Sequence, residues 1–229
     1  MDGPRTGGVS GRIAYLAADG RETGRERFEI LHHPGGHVLR ALCEIDDEAL
    51  LRDVTLAMDA DWRPNDGFCR IVKNGQPLAA MWFDVGAESV RVTARIGQQS
   101  SNELHLFTQS RLPYLGLHPL QGDALITAVR GTDDPGRFVG IDAVTNSVSP
   151  NGDEACRAVP VRIEVAYIGE ETISVIAGRF DARRYAVRWR EDWPAADLWV
   201  RGGDHLFLRM RWALVPTTYE LTAFQELSA

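Results

Sequence analysis

What this chain lacks narrows its function before any motif is read. It has no run of about 18 or more apolar residues, so no segment is expected to cross a bilayer as a helix. Positive charge is in short supply: 25 Lys and Arg stand against 32 Asp and Glu, giving a formal net charge of −7 and a pI of about 5.4. Phosphate backbones call for a basic face, so nucleic acid is not an expected partner, and neither is a membrane. Cysteine is scarce as well. Cys43, Cys69 and Cys156 are odd in number and form no C-x-x-C pair, which fits small buried thiols in a reduced, cytoplasmic protein. The opening Met1-Asp2-Gly3-Pro4-Arg5-Thr6-Gly7-Gly8 holds no apolar core of a secretory signal and reads as a flexible lead over residues 1–10. No glycine-rich dinucleotide fingerprint, P-loop, G-x-S-x-G elbow or H-E-x-x-H helix occurs. Nucleotide cofactors and the hydrolase chemistry tied to those motifs are therefore disfavoured, and no cofactor is expected.

What is present is period-two alternation. Val90, Val92, Ala94 and Ile96 alternate with Ser89, Arg91, Thr93 and Arg95; Val161, Ile163, Val165 and Tyr167 with Arg162, Glu164 and Ala166; Leu206, Leu208, Met210 and Trp212 with His205, Arg209 and Arg211. One apolar and one polar face is the pattern of an antiparallel strand with one wet side. Turn signals punctuate the runs at Asp19-Gly20, Pro34-Gly35-Gly36, Asn74-Gly75, Gly169-Glu170-Glu171 and Ala177-Gly178. Asn74-Gly75 supplies the two positive-φ positions of a type I′ hairpin turn. The strands outnumber what a flat sheet tolerates. The expected fold is mainly β: a single large curved antiparallel sheet, a barrel or half-barrel, spanning residues 11–229 with one or two short helices. The helix candidate is Asp123 to Arg130, with Asp123 as N-cap and Leu125, Ile126 and Val129 at helical spacing. A concave face lined by Val90, Val92, Tyr167, Tyr185, Trp189, Leu206, Met210 and Trp212 would be a packed core or an apolar pocket.

The alternation stops at Leu112-Pro113-Tyr114-Leu115-Gly116-Leu117-His118-Pro119-Leu120-Gln121-Gly122-Asp123-Ala124. A segment that interrupts a sheet is where a lid or plug would sit. It also carries the best candidates for chemistry: His118 as acid/base, Asp123 as its orienter and Tyr114 as donor to a substrate oxygen. Asp61 and Trp62, in the polar corner Asp59-Ala60-Asp61-Trp62-Arg63, would form the mouth, and Tyr185, Trp189 and Trp212 an aromatic wall. His32, His33 and His37 crowd together, but neighbours on a strand face opposite ways and no cysteine helps, so no metal site is expected. Arg184, Arg188, Arg190, Arg209 and Arg211 read as a solvated outer face paired across strands.

The last third carries a resemblance. Ser174-Val175-Ile176-Ala177-Gly178-Arg179-Phe180-Asp181-Ala182-Arg183-Arg184-Tyr185, followed by Asp197-Leu198-Trp199-Val200 and a strand rich in Leu and Arg, is similar to an uncharacterised bacterial family. The glycine-marked opening Gly20-Arg21-Glu22-Thr23-Gly24-Arg25-Glu26 resembles the start of the same family. Its members carry valine-proline-alanine-glycine-threonine-phenylalanine-aspartate and then leucine-tryptophan on a lipoprotein-carrier-like half-barrel. Ile176 stands where the family has proline, and many members are exported. The resemblance implies a curved sheet around an apolar cavity and carries over no catalytic residue.

Two functions follow as expectations. One is a cofactor-independent acid/base enzyme, of lyase, isomerase, cyclase or dehydratase type, acting on a small apolar or aromatic molecule in the cavity. The other is a cytoplasmic binding or carrier protein for a hydrophobic ligand. Tyr114 and His118 both facing the cavity would favour the first; purely apolar walls would favour the second. A homodimer is compatible with either.

Overall fold

Turn chemistry sets the register of the first half. Asn74 and Gly75 sit at φ 52° and 70°, the positive-φ pair of a tight hairpin, and they join β5 (Pro64–Lys73) to β6 (Gln76–Val85). The computed structural model describes residues 7–99, 102–154 and 156–228. Before that hairpin come β1 (Gly8–Ala17), β2 (Glu22–His33), β3 (Gly36–Ile45) and β4 (Leu50–Met58), with a 3-10 turn at Asp46–Glu48. After it come β7 (Ser89–Ile96) and β8 (Asn102–Phe107). The short β9 (Tyr114–Gly116), α1 (Leu120–Ala124) and α2 (Ile126–Arg130) follow. The chain closes with β10 (Phe138–Thr145), β11 (Val159–Val175), β12 (Gly178–Arg188), β13 (Ala196–Arg201), β14 (Phe207–Arg211) and β15 (Thr217–Leu227). Of the lead expected over 1–10, residues 1–6 lie outside the described residues, and strand structure begins at Gly8.

These strands form one 15-stranded sheet in the order β8-β7-β6-β5-β4-β3-β2-β1-β15-β14-β13-β12-β11-β10-β9. The first and last strands meet at its middle. From there the chain meanders outward to β8, crosses to β9 at the opposite edge, and meanders back. Every pairing is antiparallel except β9 with β10. So many twisted strands must curl, and the expected curved sheet is the fold observed, left open between β8 and β9.

The stretch where alternation ceases is the crossing. It runs through the concave side against β5. Gly67 makes room: a Cβ there would lie 2.8 Å from Leu115 Cδ2 and 3.0 Å from Leu117 Cδ1. Leu112, Leu115, Leu117, Leu120, Leu125 and Ile126 are buried in the same core as the sheet's inner face. The crossing is thus a plug held by apolar burial, at roughly 1.5–3 kcal/mol for each large side chain.

Two expectations are corrected. Gly169-Glu170-Glu171 is not a turn: β11 runs straight through it, with a register shift at Tyr167/Gly169 that pushes Ile168 outward. A bulge and a turn share the same glycine signal. The helix is two five-residue pieces meeting at Leu125, and Asp123 lies inside the first rather than capping it. The first turn is capped from across the fold instead. Glu26 on β2 accepts the N–H groups of Leu120 at 2.6 Å and Gln121 at 2.9 Å, satisfying donors that a helix start leaves free. Of the two outcomes open for the concave face, Val90, Val92, Tyr167 and Leu206 take the first and belong to packed core.

Candidate ligand-binding cavity

A cavity lies between the plug and the second half of the sheet. Its volume is about 70 Å³, small beside the roughly 300–1,000 Å³ of drug-sized sites. Part of its lining is apolar: Val161 and Ile163 from β11, Met210 from β14, Trp212 just after it, and Trp189 and Trp193 beyond β12. The indoles pack on one another, Trp189 to Trp212 at 5.0 Å and Trp193 to Trp212 at 5.2 Å between ring centroids. Trp212 Nε1–H donates to Pro194 O at 2.7 Å, so the indole is fixed at its polar edge and presents its apolar faces. The rest of the lining is polar: Tyr15, Arg52, Tyr114, His118, Asp123, Tyr219 beside Met210 across the β14–β15 pairing, and the loop after β10.

Two charged residues on buried strand rows support that polar lining, Arg52 within it and Glu26 outside it. Arg52 occupies the row that otherwise reads Leu50, Val54, Leu56, Met58, and Glu26 the row of Gly24, Phe28, Ile30. Arg52 donates from Nη1 to His118 O at 2.7 Å and from Nη2 to Asn151 O. It therefore ties the plug to the loop after β10. Its Nε–H has no partner among the described residues. Charges placed this deep cost free energy unless hydrogen-bonded, and both residues are held largely by backbone groups.

Asp123 sits deep in the protein yet is only half-buried by surface, and the surface it keeps opens on the cavity. Tyr114 donates to Asp123 Oδ1 at 3.2 Å; Oδ2 has no hydrogen-bond partner among the described residues. Burial, then the Glu26 carboxylate, raises the Asp123 pKa to about 7, against smaller opposing effects of Tyr114 and Arg52. His118 differs from expectation. It stands at φ 67°, its ring lies on Gly152, where a Cβ would come within 2.6 Å, and Nε2 contacts Ser147 O and Thr145 Oγ1, each at 3.1 Å. Burial, then the nearby Arg52 guanidinium, lowers its pKa to about 3. His118 is a neutral ring that fastens a loop. It makes no hydrogen bond to Asp123, so the expected pairing of the two is corrected: Asp123 pairs with Tyr114.

Of the aromatic wall expected from sequence, Trp189 and Trp212 line the cavity. Tyr185 does not: it is 1% exposed and packs on Tyr167 at 5.4 Å. Trp62 and Asp61 lie elsewhere too. Asp59 Oδ1 accepts the N–H groups of Asp61 and Arg63, and this tight corner swings Trp62 onto His37, stacked at 3.8 Å, leaving Asp61 exposed. His32 Nδ1 and His37 Nδ1 share a hydrogen bond of 2.7 Å. Among the described residues no three His, Cys, Asp or Glu are placed to hold a metal ion. The sequence reading missed Glu26, Arg52, Trp193 and Tyr219. For the first two the signal was there: a charge on the apolar row of a strand.

No protein-family model matches the chain, and no curated protein matches it in sequence. Among solved structures it is similar to the "Beta-barrel-like Protein of Domain of Unknown Function DUF1849" from Brucella abortus, with a TM-score of 0.59 and 10% identity over 99% of this chain and 98% of that one. The fold is β-barrel-like. A second similar structure, titled a "putative lipoprotein", from Parabacteroides distasonis, has 11% identity and covers 97% of each chain, but its TM-score is 0.32, too low to bear on the fold. No helix among the described residues is long and apolar enough to cross a membrane.

Proposed function

We propose that this β-barrel-like protein binds a small hydrophobic or aromatic molecule between the plug and β11–β15, as a binding or carrier protein. The observation that carries this reading is the cavity's mixed lining. Trp189 and Trp193, both packed on Trp212, share the lining with polar groups, among them the Asp123 carboxyl. Such sites gain affinity from apolar area and orientation from a few polar groups. Tyr114 and His118 both border the cavity, as an enzyme would require, but an imidazole with a pKa of about 3 is too weak a base for proton transfer near neutral pH. A catalytic reading therefore passes from His118 to Asp123, whose pKa of about 7 suits an acid/base.

The test is titration of the purified protein with octanol, followed by tryptophan emission, with native mass spectrometry of the protein as isolated. A saturable emission shift, weakened in Trp212→Phe, is the expected result. An unresponsive emission together with a mass spectrum free of small molecules would overturn the proposal.

A further inference from the structure

Resting on that reading, we infer that the ligand is an amphipathic amine whose ammonium group binds the free Oδ2 of Asp123 while its apolar body lies along Trp189, Met210 and Trp212. The geometry selects the head group. Asp123 has one oxygen occupied by Tyr114 and one without a protein partner, and the side chain's remaining surface faces the cavity. A carboxylate in a low-dielectric wall is most stabilised by a charged donor that completes its shell.

The surrounding charges favour a cation over an anion. Four elements bring ionisable groups to Asp123: Glu26 from β2, Arg52 from β4, Tyr114 from β9 and Tyr219 from β15. Glu26 raises the Asp123 pKa and Arg52 lowers it, so fixed charges of both signs reach this spot. Both Arg52 terminal nitrogens are taken by loop carbonyls. At the mouth, Arg190 is paired with Asp192 at 2.9 Å and does not present a bare positive charge. With Arg52, Glu26 and Asp123 all ionised, an incoming ammonium makes two positive and two negative charges; an incoming carboxylate makes one positive and three negative. The protein's net charge of −7 draws cations toward it.

Octylamine, octanol and octanoate share one chain length and differ in head group. Titrated against the whole protein, octylamine is expected to bind at least about tenfold tighter than octanol, with octanoate weakest. The amine stays protonated while Asp123 ionises, so its affinity should rise between about pH 6 and about pH 8, with proton release seen as a buffer-dependent heat of binding. Asp123→Asn should remove the amine preference and the pH dependence while octanol still binds. If that variant does not fold, the head-group order and proton release of the wild-type protein decide alone. Equal or tighter binding of octanol or octanoate, or affinity for the amine that falls with rising pH, overturns the inference and leaves the cavity reading standing. Binding of none of the three overturns both.

Discussion

His118 offers a sharp check on the interior, because holding its ring neutral should cost stability as pH falls, a contribution that one substitution removes. An unfolded histidine titrates near 6.5, and in the fold the value is about 3. Between these values the unfolded chain holds a proton that the native state excludes, so stability falls as pH drops through this window and is fully present above about 6.5. At about 1.4 kcal/mol per pH unit, acidification from about pH 6.5 to about pH 5 costs about 2 kcal/mol, less whatever hydration the cavity supplies to the ring. Asp123 works in the opposite sense. Its folded value is about 7, so the native state takes up a proton over roughly pH 7 to 4 and gains stability there. The two slopes nearly cancel in the wild type, and a single substitution unmasks one of them. His118→Asn is the suitable change, since asparagine tolerates the positive φ at this position. It should lose about 1 kcal/mol near pH 7.5 with the ring's hydrogen bonds, then recover about 2 kcal/mol relative to wild type by about pH 5. Urea unfolding at the two pH values, with unchanged slope against denaturant, reads the difference directly. Parallel stability curves for wild type and variant would mean that His118 is not held neutral, and the account of this wall would be wrong.

Two further outcomes follow from the same interior. Arg52→Met removes the donors to His118 O and Asn151 O, and should cost roughly 3–5 kcal/mol, a fall in Tm of roughly 6–20 °C in thermal denaturation; loss of amide-exchange protection confined to β4 and not to residues 118 and 151 would contradict its role as a tie. Gly67→Val drives a side chain into Leu115 and Leu117 of the plug and should cost roughly 1–3 kcal/mol, read as a lower urea midpoint. An unchanged midpoint would show that the plug does not lie on β5.

The sequence by itself determined the strands, most of their turns and the place of the plug, because these are local. Alternation at Val90–Ile96 or Leu206–Trp212 needs only neighbours two residues apart, and the Asn74-Gly75 turn needs only its own φ angles. Even the plug announced itself locally, through two prolines and two glycines where alternation failed. The cavity wall is different. Trp189 and Trp212 were legible as inward aromatics, but Tyr185, on an equally good row, turned out to face Tyr167. Asp123 was visible as a candidate; its partner is Tyr114 because the helix carries the carboxylate away from the His118 ring, which lies on Gly152. Glu26 and Arg52 sit roughly ninety and seventy residues from the backbone groups they hold, a closure that only the curl of the sheet produces. The tertiary structure thus decided which buried charges meet, how their environment moves their pKa values, and which aromatics border empty space. Those are properties of enclosure, and enclosure is made by distant strands together.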